Sequence, residues 1–185
     1  MTSVDGQASA ASWLEEHRDG VSPDEALAYF DSLPVVTTEE MLGRWRGSAL
    51  RTGSPLDGLL EAYGWYGKEC LDEEAVHPLL FPDRSGRPRP VDPSLLPIGV
   101  LRDYAGFLQF WPLRTAFTSL RPLLYTRKPQ ARLREVTHRG VVTAAIVYDS
   151  LPIIDVFRRV SDDVRLGAMD MRGLPAPFLF VLERD

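Results

Sequence analysis

The last third of the chain is a series of short strand-like segments, each rich in apolar, β-branched or aromatic residues. Turn sequences of Gly, Pro, Asp and Ser separate these segments. They span residues 132–138, 141–148, 153–160, 164–172 and 178–184. Strands with such short connections usually pair with their sequence neighbours, so the pattern predicts an antiparallel meander.

Both faces of these segments are apolar, which restricts the fold further. In segment 141–148 the alternating faces are Val141, Thr143, Ala145 and Val147 on one side and Val142, Ala144, Ile146 and Tyr148 on the other. A sheet with one side in water would alternate apolar and polar residues, so both sides must be covered. A barrel covers its inner side by closure, and helices or a partner subunit would cover the outer side. We therefore predict an antiparallel β-barrel with N-terminal helices, mainly β within an α+β chain.

The first half of the chain predicts helices and one long loop. Ser22 is a suitable N-cap with Pro23 at the first helical position, and an apolar stripe then continues to Leu33. Thr37 and Glu40 have the spacing of a capping box, which predicts a short helix through residue 42. Residues 56–66 are a further helix candidate.

We expect two parts in the chain: a flexible N-terminal extension at residues 1–20 and a single domain at residues 21–185. Within the domain, residues 22–81 hold the helices and a Gly-rich segment, and residues 82–97 form a proline-rich surface loop. The antiparallel strands occupy residues 115–185.

Composition excludes several classes of protein. The net charge of −5 argues against a protein that coats nucleic acid. Cys70 is the only cysteine, so no intrachain disulfide or thiolate metal cage can form, and a reducing, cytoplasmic setting is expected. No apolar run approaches the ~20 residues that span a bilayer, and the N-terminus does not resemble a signal peptide.

The segment Gly43-Arg44-Trp45-Arg46-Gly47 resembles the motif of the GXWXG family of bacterial proteins. Residues from about 123 to 184 resemble the DUF4334 domain that accompanies it. The matching text is LREV at 133–136, YDSLPIID at 148–155, GAMDMRG at 167–173 and PFLFVLER at 177–184. This resemblance implies a fold and no particular reaction.

A Gly-x-Trp at the start of a first barrel strand also resembles the lipocalins, which belong to the calycin barrels. That resemblance implies an arginine stacked on the tryptophan near the closed end of the barrel, with Arg184 over Trp45 in this chain. A guanidinium over an indole face contributes about 0.5–2 kcal/mol. Gly43, Gly47 and Arg184 would then have structural roles.

The common catalytic motifs are absent from the sequence: no nucleophile elbow, His-Glu-x-x-His, phosphate-binding loop or dinucleotide fingerprint occurs. We therefore assign no catalytic residue and no metal. His17, His77 and His138 are too far apart in sequence to indicate a metal site. His77 is either a proton donor or haem ligand, or a hydrogen-bonded histidine at the start of a strand.

Asp155 and Asp170 each interrupt an apolar strand, and a buried carboxylate needs a partner. The nearest candidates in sequence are Arg158, Arg159 and Arg172. The two aspartates would form either a carboxylate pair for acid–base chemistry inside the barrel, or structural salt bridges or turn caps.

We predict a binding protein that holds a small hydrophobic ligand, such as a fatty acid or a related carboxylate, in the barrel, with Arg172 or another inward-facing arginine meeting its charged head. The candidate ligand-binding residues are Trp45, Trp65, Tyr66, His77, Trp111, Tyr148, Asp155, Asp170 and Arg172. The first alternative is an isomerase, hydratase or hydrolase that uses His77, Asp155 or Asp170. Two others are haem binding through His77, with no other cofactor expected, and an interaction module whose outer face forms a homodimer. We expect neither a nucleic-acid partner nor a membrane span.

Overall fold

The computed structural model describes residues 4–95 and 111–185, and the side chains of residues 6–95 and 114–185. Its helices are α1 (Val4–Glu16), α2 (Pro23–Ser32), α3 (Leu59–Ala62) and α4 (Trp111–Leu120). Single 3-10 turns span Glu39–Met41, Pro93–Leu95 and Arg121–Leu124. The strands of the first half are β1 (Gly43–Ala49), β2 (Gly67–Cys70), β3 (Val76–Pro82) and β4 (Pro88–Pro90). Those of the second half are β5 (Ala131–His138), β6 (Val141–Tyr148), β7 (Ile153–Arg159), β8 (Val164–Met171) and β9 (Phe178–Arg184).

The strands form a closed antiparallel barrel of eight strands, which confirms the predicted fold class. The order around the barrel is β2-β1-β9-β8-β7-β6-β5-β3, and pairing of β3 with β2 completes the ring. Strand β4 lies outside this ring and pairs with β3. The consecutive strands β5 to β9 follow the meander that the sequence predicts, and the first half of the chain supplies the other three barrel strands.

Two joins connect the strands of the first half to those of the second half. At one join, β1 and β9 pair over their lengths, from Trp45 opposite Arg184 to Ala49 opposite Phe180. At the other, β3 and β5 share the single register pair Val76–Ala131. The Leu133 amide, which donates to the Glu73 carbonyl at 2.8 Å, extends this second join.

The outer apolar face of the barrel is covered by α1 and α2. Leu14 and Phe30 from these helices are buried in one cluster with Val156, Leu166 and Val181 from β7, β8 and β9. Helices of the same chain therefore provide the cover that two-sided apolar strands require. Because residues 4–16 are helical and Leu14 is 2% exposed, this part of the chain is not the flexible extension expected for residues 1–20.

In the first half of the chain, some of the helices and loops predicted from local sequence are present and others are shorter than expected. Helix α2 begins with the expected N-cap Ser22 and with Pro23 in its first turn, and Ser22 also forms a capping box with Glu25. The Thr37–Glu40 spacing gives only a 3-10 turn, although the Glu40 carboxylate accepts the Thr37 amide at 2.9 Å. Residues 56–66 contain one helical turn, α3, and the predicted loop at 82–97 contains β4 and a 3-10 turn. No helix in the described ranges is long and apolar enough to cross a bilayer.

Candidate functional site

The barrel interior contains a cavity of about 90 Å³ near the end at which α3 and the β6–β7 turn lie. We call it the barrel cavity. Its aliphatic lining residues are Leu56, Leu59, Leu60, Leu79, Leu151 and Ile153. Met169, Met171, Trp65, Phe178 and Phe180 complete the apolar wall. The polar residues of the lining are Lys68, Tyr148 and Asp155.

The second glycine of the Gly-x-Trp-x-Gly motif makes room for the cavity wall. A Cβ atom built on Gly47 would lie 2.1 Å from the ring of Trp65. No side chain fits at that distance, so the indole lies directly over the backbone of β1. Gly167 on β8 has the same role for the ring of Phe180, which would lie 2.4 Å from an added Cβ.

The rest of the motif lies at the opposite end of the barrel, which is closed. Gly43 has a φ of +109°, a conformation that L side chains rarely adopt. Trp45 is fully buried, and its Nε1 donates to the Met41 carbonyl at 2.8 Å. The Arg184 guanidinium lies 4.2 Å from the centroid of the Trp45 ring and donates to the Leu42 carbonyl at 3.0 Å. These contacts fix the 3-10 turn Glu39–Met41 across the barrel end.

A buried ammonium group forms the polar part of the barrel cavity. The Nζ of Lys68 donates to Asp155 Oδ2 at 2.7 Å, to Tyr148 Oη at 3.1 Å and to the Pro78 carbonyl at 3.1 Å. We call these groups the Lys68 cluster. An ammonium has three N–H donors, so every Lys68 donor is already used.

The surroundings of the Lys68 cluster are aromatic. Lys68 Nζ lies 5.0 Å from the ring centroid of Phe180, 5.4 Å from that of Trp65 and 5.6 Å from that of Tyr148. These faces partly replace the hydration that the ammonium loses on burial. Burial, followed by the negative charge of Asp155, raises the pKa of Tyr148 well above its ordinary value. Tyr148 is therefore a neutral phenol at physiological pH.

Two buried polar atoms at the barrel cavity lack hydrogen-bond partners among the described residues: Asp155 Oδ1 and Trp65 Nε1. Asp155 is 0% exposed and Trp65 is 6% exposed, so neither atom is solvated by bulk water. Buried polar groups are usually paired because an unpaired one retains its full cost of desolvation. Both atoms are buried, and the surface that the cavity presents is almost entirely apolar.

Asp155 has a buried ionic partner, as its position in an apolar strand predicts, but that partner is not one of the arginines expected from the sequence. Its partner is Lys68 on β2, and none of Arg158, Arg159 or Arg172 bonds to it. Lys68 was missed because its partner lies 87 positions away in sequence. One signal was available, since Lys68 is one of only two lysines in the chain and is two positions before Cys70 in a short strand.

Asp170 does not join Asp155 in the barrel. Asp155 lies opposite Met169 in the β7–β8 ladder, whereas Asp170 lies opposite Ile154. Because neighbouring positions on a strand face opposite ways, Asp155 points inward and Asp170 points outward, where it is exposed. The proposed carboxylate pair is therefore wrong.

Other candidate residues lie away from the described cavity lining. Arg172 is exposed in the turn after β8, so the expected contact with a ligand head group in the cavity is wrong. Tyr66 donates from its hydroxyl to Asp185 Oδ2 at 2.8 Å on the outside of the barrel. His77 is buried, but it is not part of the described lining. The side chain of Trp111 lies outside the described residues.

The described residues show whether ligands for a metal ion or a haem are present. Within residues 4–95 and 111–185, no group of three or more His, Cys, Asp and Glu side chains could hold a metal ion. The described lining of the barrel cavity contains no histidine that could ligate a haem iron.

The fold and the cavity define a class: a closed eight-stranded antiparallel barrel with a mostly apolar interior and a buried Lys–Asp pair. Residues 28–86 match the family model described as GXWXG protein, and residues 129–184 match the model described as a domain of unknown function, DUF4334. The chain is 32% identical to a protein from Thermomonospora curvata with a known crystal structure. That comparison covers 98% of this chain and 99% of the other, with a TM-score of 0.71. No curated protein matches the chain. The chain belongs to the GXWXG/DUF4334 family, as its motifs predict.

The two family segments are parts of one barrel. The GXWXG match contains β1, β2 and β3, and the DUF4334 match contains β5 to β9. Each segment alone would leave two unpaired strand edges, and these edges meet at the β1–β9 and β3–β5 joins.

Proposed function

We propose that this protein binds a small, largely apolar ligand in the barrel cavity. The observation that carries the proposal is the cavity itself, which has an almost entirely apolar wall with the buried Lys68 cluster beside it. Ligand sites usually combine an apolar lining with a few polar groups that fix orientation. The closed opposite end supports the same proposal, because entry is then expected beside α3.

The volume of the barrel cavity limits the size of its ligand. An apolar cavity of about 150 Å³ accepts benzene. A cavity of about 90 Å³ therefore suits a compact molecule, or one end of a longer molecule whose remainder extends past α3. A long-chain fatty acid would fit only if α3 or the β6–β7 turn moved outward.

The positions of the titratable groups favour binding over the enzyme alternative. That alternative requires two titratable groups around a shared reacting position. Among His77, Asp155 and Asp170, only Asp155 belongs to the described cavity lining. Lys68 is fully hydrogen-bonded and Tyr148 is a neutral phenol, so neither is poised as a base.

Titration with xenon, an apolar atom smaller than benzene, followed by amide NMR shifts, tests the proposal. We expect saturable shifts at residues that line the barrel cavity. Leu60→Trp, at a half-buried lining position, should fill the cavity and abolish these shifts. Leu123→Trp is the matched control, because Leu123 is 78% exposed and remote from the lining. The proposal fails if the xenon-induced shifts do not saturate or if Leu60→Trp binds xenon as well as the control.

A further inference from the structure

We infer that the protein docks on anionic lipid membranes through a surface formed by residues 82–95 and 114–128, which we call the basic face. This inference concerns the outside of the barrel and does not depend on what the barrel cavity binds. The two segments contain seven basic and two acidic residues, although the whole chain has a net charge of −5. The rest of the chain is therefore acidic, and this separation of charge predicts that an anionic partner meets the basic face.

The two segments of the basic face lie side by side. The Thr126 amide donates to the Pro90 carbonyl at 3.0 Å, and the Asp92 amide donates to the Leu124 carbonyl at 2.9 Å. A surface hollow of about 750 Å³ is lined by residues of both segments. The basic residues therefore belong to one region of the surface.

Five cations of the basic face are available to an anion, because their side chains are exposed and none belongs to an ion pair within the described residues. They are Arg84, Arg87, Arg89, Arg127 and Lys128. The two acidic residues of the face are engaged in turns. Asp83 Oδ1 accepts the Ser85 amide at 2.8 Å, and Asp92 Oδ1 accepts the Ser94 amide at 2.9 Å. The face therefore presents a net positive charge to solvent.

Exposed leucines accompany these cations. Leu95, Leu120 and Leu123 are 57%, 56% and 78% exposed. Leu120 and Leu123 are three positions apart where α4 continues into a 3-10 turn, so their side chains lie on the same side. The bond from Asp92 to Leu124 brings the turn that contains Leu95 beside them. Binding to an anionic membrane combines attraction of cations to the headgroups with burial of apolar side chains at the edge of the acyl region, and the basic face offers both.

The same leucines favour a membrane over nucleic acid, the other extended polyanion. Proteins that bind single strands stack bases on aromatic rings. The exposed apolar side chains of the basic face are aliphatic, and Tyr125 is half-buried, with the Arg89 guanidinium 6.0 Å from its ring centroid. Leucines cannot stack on bases, whereas they gain from transfer into lipid.

The basic face adjoins the end of the barrel at which α3 lies. Arg114 Nε donates to the Ala62 carbonyl at 2.7 Å, and the ring centroids of Phe117 and Tyr63 are 5.1 Å apart. Docking would therefore bring the α3 end of the barrel close to the membrane, where apolar molecules concentrate.

Cosedimentation with vesicles tests the inference, with equimolar phosphatidylglycerol and phosphatidylcholine compared with phosphatidylcholine alone. We expect at least tenfold tighter binding to the anionic vesicles. That affinity should fall at least fivefold between about 0.1 M and about 0.5 M NaCl, because salt screens exposed charges. Equal binding to both vesicles, or binding to neither, would overturn the inference. Tighter binding of a single-stranded or duplex oligonucleotide, compared at equal phosphate concentration, would also overturn it.

A pair of charge variants tests which surface docks. Arg127→Gln/Lys128→Gln should weaken binding to the anionic vesicles about five- to thirtyfold, because each basic residue near such a surface contributes about fivefold. Arg44→Gln/Arg139→Gln removes two exposed cations at the closed end of the barrel and should weaken binding less than threefold. Equal losses in the two double variants would contradict docking through the basic face.

A fluorescent label reports the orientation of the bound protein without altering its charge. Leu123→Cys carries a polarity-sensitive dye at the basic face, and the native Cys70 is buried. We expect its emission to shift to shorter wavelength on the anionic vesicles. Leu71→Cys is the matched control, because Leu71 is 58% exposed beyond β2 at the closed end, and its label should not shift. No shift at position 123, or an equal shift at position 71, would overturn the assignment of the face.

Discussion

Lys68 Nζ lies 2.7 Å from Asp155 Oδ2 inside the barrel, where the two side chains are only 4% and 1% exposed. Neither charge can exchange its partner for bulk water. A buried pair of this kind adds little stability over an apolar pair of similar volume, but loss of one member leaves an uncompensated charge. The pair therefore links β2 to β7 in a way that tolerates joint replacement better than single replacement.

Single replacement within this pair should be costly. We expect Lys68→Met or Asp155→Leu to lower the free energy of unfolding by about 3–5 kcal/mol, and the double variant to recover most of that loss. Urea unfolding provides the measurement. Arg132→Met, which breaks the exposed pair with Asp149, is the control and should cost less than about 1 kcal/mol. Additive effects in the double variant would contradict the coupling.

A methyl group at position 47 should displace the cavity wall. Gly47→Ala places a Cβ within 2.1 Å of the Trp65 ring, so the indole or β1 must move. We expect a loss of about 1–3 kcal/mol in unfolding free energy and altered near-UV circular dichroism. Ser48→Ala changes the adjacent position on the opposite face of β1 and should leave both measurements close to wild type.

The contribution of Arg184 to stability at the closed end of the barrel should depend on the planar shape of its guanidinium as well as on its charge. Arg184→Met removes the stack on Trp45 and the donors to the Leu42 and Glu40 carbonyls, and we expect a loss of about 1–2 kcal/mol. Arg184→Lys should recover only part of it, because an ammonium lacks the planar fork. Arg172→Met, at an exposed position, should cost less than about 0.5 kcal/mol. Full rescue by lysine would show that charge alone suffices.

Cys70 should be unreactive in the folded protein. Burial raises the pKa of its thiol to about 12, so only about one thiol in ten thousand is ionised at pH 8. We expect negligible labelling by Ellman's reagent in native buffer and one equivalent of label after unfolding in urea. Leu123→Cys adds an exposed thiol and should label within minutes without urea. Rapid labelling of the native wild type would contradict the buried position.

Stability should decrease below neutral pH because of buried histidines. Burial lowers the pKa of His77 below its ordinary value of 6.5, with Glu69 opposing the shift. The unfolded chain therefore binds more protons than the folded chain in the window below pH 6.5, so the unfolding free energy falls as the pH falls through it. We expect His77→Gln to reduce the difference in urea stability between pH 7.0 and 5.5.

The carboxylates whose pKa values are lowered in the folded protein titrate below this window. The pKa of Asp31, for example, is lowered by its hydrogen bond with Arg139 and lies under the window. His138 contributes in the same direction because burial also lowers its pKa, so His138→Gln should remove a separate part of the slope. An unchanged slope in both variants would contradict the assignment.

The strands that pair with sequence neighbours were predictable, and the strands that pair at long range were not. Segments 141–148 and 178–184 have the bounds that their apolar runs and flanking turn residues predict. Strand β2 is too short to show a period, and its position in the ring depends on pairing with β1 and β3. Lys68 was missed for the same reason, since its environment is created by strands from the far end of the chain.

Asp155 and Asp170 show which features of a site can be predicted from a sequence pattern and which cannot. An acidic residue in an apolar strand correctly indicated a special environment for Asp155. The same argument failed for Asp170, because it depends on which face of the strand is inside. A shift of one position reverses that face, and only the register fixes it.

The unequal joins of the barrel have a mechanical consequence. Strands β1 and β9 pair along most of their length, whereas β3 and β5 share the single register pair Val76–Ala131. Local opening of the barrel should begin at this short join. Amide protons beside it should therefore exchange with solvent sooner than those along β1 and β9.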